Sequence, residues 1–172
     1  MREADVPDDA TTNLLEDDAS GALAAPRCSP YSGLTDFSAG ALMVFSRGYF
    51  PDLLGIERLM VEPQRVRARV PVRRELMGPH GYLHGGTLVS VADSLCGYGT
   101  IVNLPDDATG FVTIELKSNF LGTIRHGAMT CEATPAHIGR STQVWDAVVN
   151  DESDNRALAI FRCSQMVLRD QR

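Results

Sequence analysis

The apolar positions of this chain follow two different periods. Between residues 85 and 103, Leu88, Val91, Ala92, Leu95, Tyr98, Gly99 and Val102 recur at helical spacing. That pattern predicts one long helix, ending near Asn103-Leu104-Pro105. Elsewhere the period is two. Residues 65–72 alternate Val66, Ala68, Val70 and Val72 with Arg65, Arg67 and Arg69. Residues 109–120 alternate Val112, Ile114, Leu116 and Phe120 with Thr113, Glu115, Lys117 and Asn119. Residues 56–61, 128–138, 142–150 and 156–168 read as further strands, with turns at Pro63-Gln64 and Asp151–Asn155. Within 128–138, Pro135 predicts a bulge or an edge. Upstream, Leu42, Met43, Phe45, Ser46, Tyr49 and Phe50 predict a short helix stopped by Pro51. Consecutive strands with short turns imply an antiparallel sheet, and the long helix must pack across its face. The expected class is α+β.

Charge divides the chain in two. Residues 1–26 carry Arg2 against seven acids (Glu3, Asp5, Asp8, Asp9, Glu16, Asp17 and Asp18), a net of −6. The whole chain also sums to −6, so the remainder is close to neutral. Residues 1–38, acidic and broken by Pro7, Pro26 and Pro30, are expected to form a disordered tail, and residues 39–172 a single domain. There is no basic footprint for nucleic acid. No signal peptide and no apolar run long enough to span a bilayer is legible, so no membrane partner is expected and a cytoplasmic location is. Cys28, Cys96, Cys131 and Cys163 are scattered, three of them in apolar segments, as reduced core thiols would be.

The chemistry concentrates at Gly81-Tyr82-Leu83-His84-Gly85-Gly86, which opens the long helix, and at Asp93, eight residues past Gly85. Glycines at a helix start leave backbone N–H groups free to hold a developing negative charge. The competing reading is a pair of glycines selected for a tight turn. Asp93 lies roughly opposite the apolar stripe, on the side of Val89, Ser90, Gly97 and Thr100, as an acid on an otherwise uncharged helix. It is a candidate base or nucleophile, or else a carboxylate satisfied by a backbone N–H or a partner chain. Eight residues of helix span about 12 Å at ~1.5 Å per residue, so one reacting carbonyl cannot touch both within one chain. Two antiparallel copies of the helix would bring Gly85 of one beside Asp93 of the other. The spacing therefore points to a two-fold homodimer with composite sites.

The stretches GYLHGGTLVSVADS, FVTIELKSNFLG, HIGRS and FRCSQMVL, in this order between about Phe45 and Leu168, resemble the phenylacetic-acid-degradation (PaaI-like) branch of the hotdog-fold thioesterases. The resemblance implies a long helix wrapped by an antiparallel sheet. It also implies a homodimer joined sheet edge to sheet edge, with a tetramer as a further option. The implied activity is hydrolysis of an acyl- or aryl-CoA thioester, with coenzyme A as part of the substrate and no other cofactor. By the same resemblance Asp93 activates water or attacks the acyl carbon, and the Gly85 N–H holds the oxyanion. His84 then supports the turn or approaches the thioester, and a purely structural histidine is the alternative. Gly86, Thr113, Gly78 and His80 are the substrate-facing candidates, with Thr113 either orienting water or serving as a plain strand threonine. Relatives frequently carry Asn or Gln where this chain has Gly78, so His80 or a water takes that part, or activity is weakened.

Other constellations fail. His80 and His84 lack an acid and a shared helical face, so no metal site is expected. No nucleophile elbow, P-loop or dinucleotide fingerprint is present. Arg65, Arg67, Arg69, Arg73 and Arg74, or Arg140, could meet CoA phosphates, but a charged solvent face is the favoured reading. A weakly catalytic acyl-CoA binder is the alternative function. A hotdog dehydratase ranks last, because His84 and Asp93 do not match its histidine–acid arrangement. The acyl tunnel is expected between Leu88, Val89, the Tyr82 loop and the helix from Ala39 to Phe50.

Overall fold

The computed structural model describes Tyr31 and residues 36–170. The acidic-tail reading therefore falls almost wholly outside the described residues, as does Cys28. The elements run α1 (Ala39–Phe45), α2 (Phe50–Leu53), β1 (Glu57–Glu62), β2 (Arg65–Pro71), α3 (Gly85–Val102), β3 (Gly110–Phe120), β4 (Ala128–Ile138), β5 (Thr142–Asp151) and β6 (Ala157–Leu168). All six strands join one antiparallel sheet in the order β1-β2-β4-β5-β6-β3, so β1 and β3 are its edges.

The stripe on α3 is the centre of the core. Leu88, Val91, Ala92, Leu95, Cys96 and Tyr98 are buried, against Val66, Val70, Met129, Trp145 and Phe161 of the sheet. Gly99 sets how closely helix and sheet approach, since a Cβ there would stand 2.4 Å from the Trp145 ring. Leu42 is fully buried, and Ser46 shares a 2.8 Å buried hydrogen bond with the Tyr98 hydroxyl, which ties α1 to α3. The three described cysteines are buried and free, and burial pushes the Cys131 thiol up to about 12.

Three expectations need correction. The single helix over Leu42–Phe50 is two helices: Gly48, at φ +81°, turns the chain, and Pro51 sits in the first turn of α2 instead of stopping a helix. A proline fits there because its missing N–H would have had no intrahelical partner. Thr100 is not on an open side of α3 but fully buried. The alternation of β3 is also broken. Up to Thr113 the inward residues are Phe111 and Thr113, the latter opposite buried Gln165; a bulge between Thr113 and Glu115 then switches the parity, so Leu116 stands opposite buried Cys163, while Val112 and Ile114 face outward. The bulge expected at Pro135 is present, between Pro135 and His137.

The basic alternation of β2 is a charged solvent face. Arg65 and Arg67 pair with Glu132, and Arg69 with Glu57 and Glu152.

Candidate active site

A narrow hairpin delivers the chain to α3. Met77 bridges Leu83, the Gly78 N–H donates to the Tyr82 carbonyl at 2.8 Å, and the His84 N–H donates to the Leu76 carbonyl at 3.0 Å. The Thr87 hydroxyl donates to the same carbonyl at 2.8 Å, and the Leu83 N–H donates to Thr123 Oγ1 at 3.1 Å. These bonds fix where the helix begins.

His84 is the N-cap. Its Nδ1 accepts from the Gly86 N–H at 2.9 Å, which places the proton of a neutral ring on Nε2. The glycine pair is thereby split. The Gly86 donor is taken, whereas the Gly85 N–H has no hydrogen-bond partner among the described residues. Gly85 also needs to be small: a Cβ would stand 3.1 Å from the Phe120 ring of β3. The open donor, the helix dipole and an aromatic wall thus meet at one point.

Asp93 lies midway along α3, half-buried, and receives the Thr113 hydroxyl on Oδ1 at 3.1 Å. It has no ion pair among the described residues. Burial raises its pKa above the ordinary carboxylate value, and the Thr113 hydrogen bond opposes that rise. Behind Thr113 runs a buried chain of amide and hydroxyl. Gln165 Nε2 donates to Thr113 Oγ1 at 3.5 Å, and the Thr100 hydroxyl donates to Gln165 Oε1. Gln165 and Thr100 are both fully buried. The role of this pair was not legible from the motifs. A signal existed, because Gln165 shares strand parity with Phe161, Cys163 and Val167, a polar residue in an otherwise inward-facing apolar row.

Among the remaining candidates, Gly78 is buried and carries the His80 ring over it: a Cβ at Gly78 would stand 2.6 Å from His80 Cε1. The His80 ring lies edge-on to Tyr82, with centroids 5.5 Å apart. His80 therefore occupies the volume that a longer side chain at position 78 would fill. Gly85 and Asp93 share one helix, eight residues apart, and within one chain they are not brought together. Among the described residues, no group of three or more His, Cys, Asp or Glu side chains could hold a metal. None of their helices is long and apolar enough to cross a membrane.

A cavity of about 550 Å³ lies between α2 and the first turns of α3, with Phe50, Leu53, Leu76 and Met77 on its apolar wall and His84 and Ser90 on its polar one. It differs from the expected tunnel, since Leu88, Val89 and Tyr82 do not line it. Leu88 instead points into the core.

Known proteins are similar to this chain in sequence and fold. Residues 80–158 match the family model of the thioesterase superfamily. The chain is 34% identical over 113 residues to a 1,4-dihydroxy-2-naphthoyl-CoA hydrolase of Listeria monocytogenes, covering 66% of this chain and 90% of that protein. It is 30% identical over 119 residues to the proofreading thioesterase EntH of Cronobacter turicensis, covering 67% and 84%. The crystal structure of thioesterase HI1161 from Haemophilus influenzae superposes with a TM-score of 0.72 at 28% identity, covering 78% of this chain and 92% of that one. A mutant of thioesterase PA1618 from Pseudomonas aeruginosa gives 0.70 at 29% identity, covering 80% and 96%. The chain belongs to the thioesterase superfamily, the hotdog-fold thioester hydrolases.

Proposed function

We propose that the protein hydrolyses an acyl- or aryl-CoA thioester to the free acid and CoA, in composite sites shared by two protomers of a homodimer. One observation carries the reading. Asp93 is a half-buried carboxylate without an ion pair among the described residues, oriented by Thr113, on the same helix whose first N–H is open at Gly85. A structural acid would be expected to have a cationic partner or several donors. An acid kept short of donors, with a raised pKa, is a stronger base than an ordinary carboxylate and is suited to take a proton.

In this reading the thioester oxygen lies at the Gly85 N–H of one protomer, and Asp93 comes from the other. Asp93 removes a proton from water as the water oxygen bonds to the acyl carbon, and the Gly85 N–H stabilises the oxyanion. The C–S bond then breaks, and the thiolate leaves as the CoA thiol with the proton returned. Direct attack by the carboxylate, followed by hydrolysis of the resulting anhydride, uses the same two residues. His84 serves as the cap that directs the Gly85 N–H outward. The edge strand β3 supports the dimer: its outer hydrogen-bonding edge is unpaired among the described residues, and Leu116 and Phe120 remain exposed on the strand.

Complementation tests the composite site. Asp93→Ala and Gly85→Val chains, each inactive alone, are mixed by co-expression. Random pairing makes half the dimers mixed, each with one intact site, so activity returns to about a quarter of wild type. No recovery from demonstrably mixed dimers contradicts the shared site.

A further inference from the structure

We propose that the cavity walled by Arg74, Arg125 and His126 holds the phosphorylated nucleotide end of a CoA thioester, an inference that rests on the thioesterase reading above. The cavity measures about 730 Å³ and is formed where the segment after β2 and the loop 77–81 face the β3–β4 connection. Its lining contains Arg73, Arg74, Arg125 and His126 and no carboxylate. The three other cavities described each include a glutamate or an aspartate.

The state of these cations separates them from most of the surface. Arg65, Arg67, Arg69, Arg73, Arg140, Arg156, Arg162 and Arg169 all pair with carboxylates. Arg74 and Arg125 have no carboxylate partner among the described residues. Arg125 is positioned instead by the Tyr82 ring, with its guanidinium carbon 4.5 Å from the centroid. Its five N–H donors are thus held at the cavity mouth without being consumed. Arg73 is different: it donates to the carbonyls of Leu53 and Leu54 and so braces the wall. The carboxylates on adjoining segments are already engaged, Glu75 by Arg73 and Asp151 by Arg156 and Ser153. A polyanion entering this space meets positive charge, and the acids of the adjoining cavity, Asp151 beside His126 and Glu152, are already held by Arg156 and Arg69.

Geometry ties the cavity to the reaction centre. Gly81 and Gly127, with φ of +79° and +85°, form part of the wall, and a Cβ on either would meet nothing within 4 Å. The absence of side chains leaves the floor open to a bulky phosphate. Gly81 precedes Gly85 by four residues, so the two Cα atoms are at most about 14 Å apart even along an extended chain. The pantetheine arm of CoA spans such a gap. The cavity therefore distinguishes a CoA thioester from the same acyl group on a small thiol.

Adenosine 3′,5′-bisphosphate is the probe. Titration calorimetry at low salt should show binding to wild type that weakens with ionic strength. The Arg74→Ala/Arg125→Ala variant should bind at least about tenfold more weakly, on the scale of lost charge-assisted hydrogen bonds. Both side chains are exposed, so the core is untouched. Arg47→Ala/Lys117→Ala, which removes two positive charges outside the cavity, should leave the affinity in place. The ratio of kcat/KM for benzoyl-CoA to that for benzoyl-N-acetylcysteamine should fall by a similar factor in the Arg74/Arg125 variant. No binding by wild type, equal binding by the cavity variant, or an equal loss in the Arg47/Lys117 control overturns the inference. Failure of wild type to cleave any ester of an acyl- and aryl-CoA panel would refute the thioesterase reading by itself, while the calorimetric titration still decides whether the cavity binds the nucleotide.

Discussion

Thr113 Oγ1 lies 3.1 Å from Asp93 Oδ1 and supplies the one hydrogen bond the carboxylate receives among the described residues. The strand reaches the helix at this point because Thr113 shares its inward side with Phe111, just before the bulge. Burial raises the pKa of Asp93, and the Thr113 donor restrains the rise. Thr113→Val should therefore raise it further. If the carboxylate is the active form, the acid limb of the kcat/KM profile moves to higher pH in Thr113→Val and stays in place in Thr113→Ser. An unmoved limb in the valine variant would show that the contact does not govern the ionisation.

The same shift has a consequence for stability. With its folded pKa raised, Asp93 binds its proton more tightly in the folded than in the unfolded chain. Stability from this group is present below the ordinary carboxylate value and declines as pH rises through the raised value. Asp93→Asn removes that decline. Its Tm should exceed wild type at neutral pH, and the difference should close in acid. A lower Tm at neutral pH would contradict the raised pKa.

Gly85 and Phe120 form a steric pair. Alanine at Gly85 would press on the Phe120 ring at about 3.1 Å, so the helix start or the ring must move. Gly85→Ala should lower kcat by about tenfold or more through misplacement of the N–H. Adding Phe120→Leu should recover part of the loss. Strictly additive losses in the double variant would separate the two residues.

Gln165 is a core residue with a polar duty. Gln165→Leu leaves the buried Thr100 hydroxyl without its acceptor and Thr113 without its anchoring N–H. The expected cost is about 2 kcal/mol, or roughly 5 °C in Tm. Thermal denaturation checks it. A variant as stable as wild type would show that the amide is dispensable.

The periodicity of the chain made the sheet and α3 legible, because one buried face dictates a period of two in strands and 3.6 in the helix. Where the pattern misled, a local backbone event intervened. Gly48 divided the predicted N-terminal helix, and the bulge after Thr113 reversed the face of β3. Gly85 and Asp93 stood out because glycine at a helix start and an acid on an apolar helix are each locally anomalous. The cap made by His84 depends on a rotamer, and the bond between Thr100 and Gln165 joins residues 65 positions apart, so neither follows from local pattern. The crowding of His80 over Gly78 likewise emerges only from the folded loop.

The most direct measurement is thiol release from a panel of acyl- and aryl-CoA esters, with wild type and Asp93→Ala compared side by side. Wild type should turn over at least one ester, and Asp93→Ala should be slower by roughly 10²–10⁴-fold while keeping its fold. Hydrolysis by Asp93→Ala at the wild-type rate would contradict the central role given to this carboxylate.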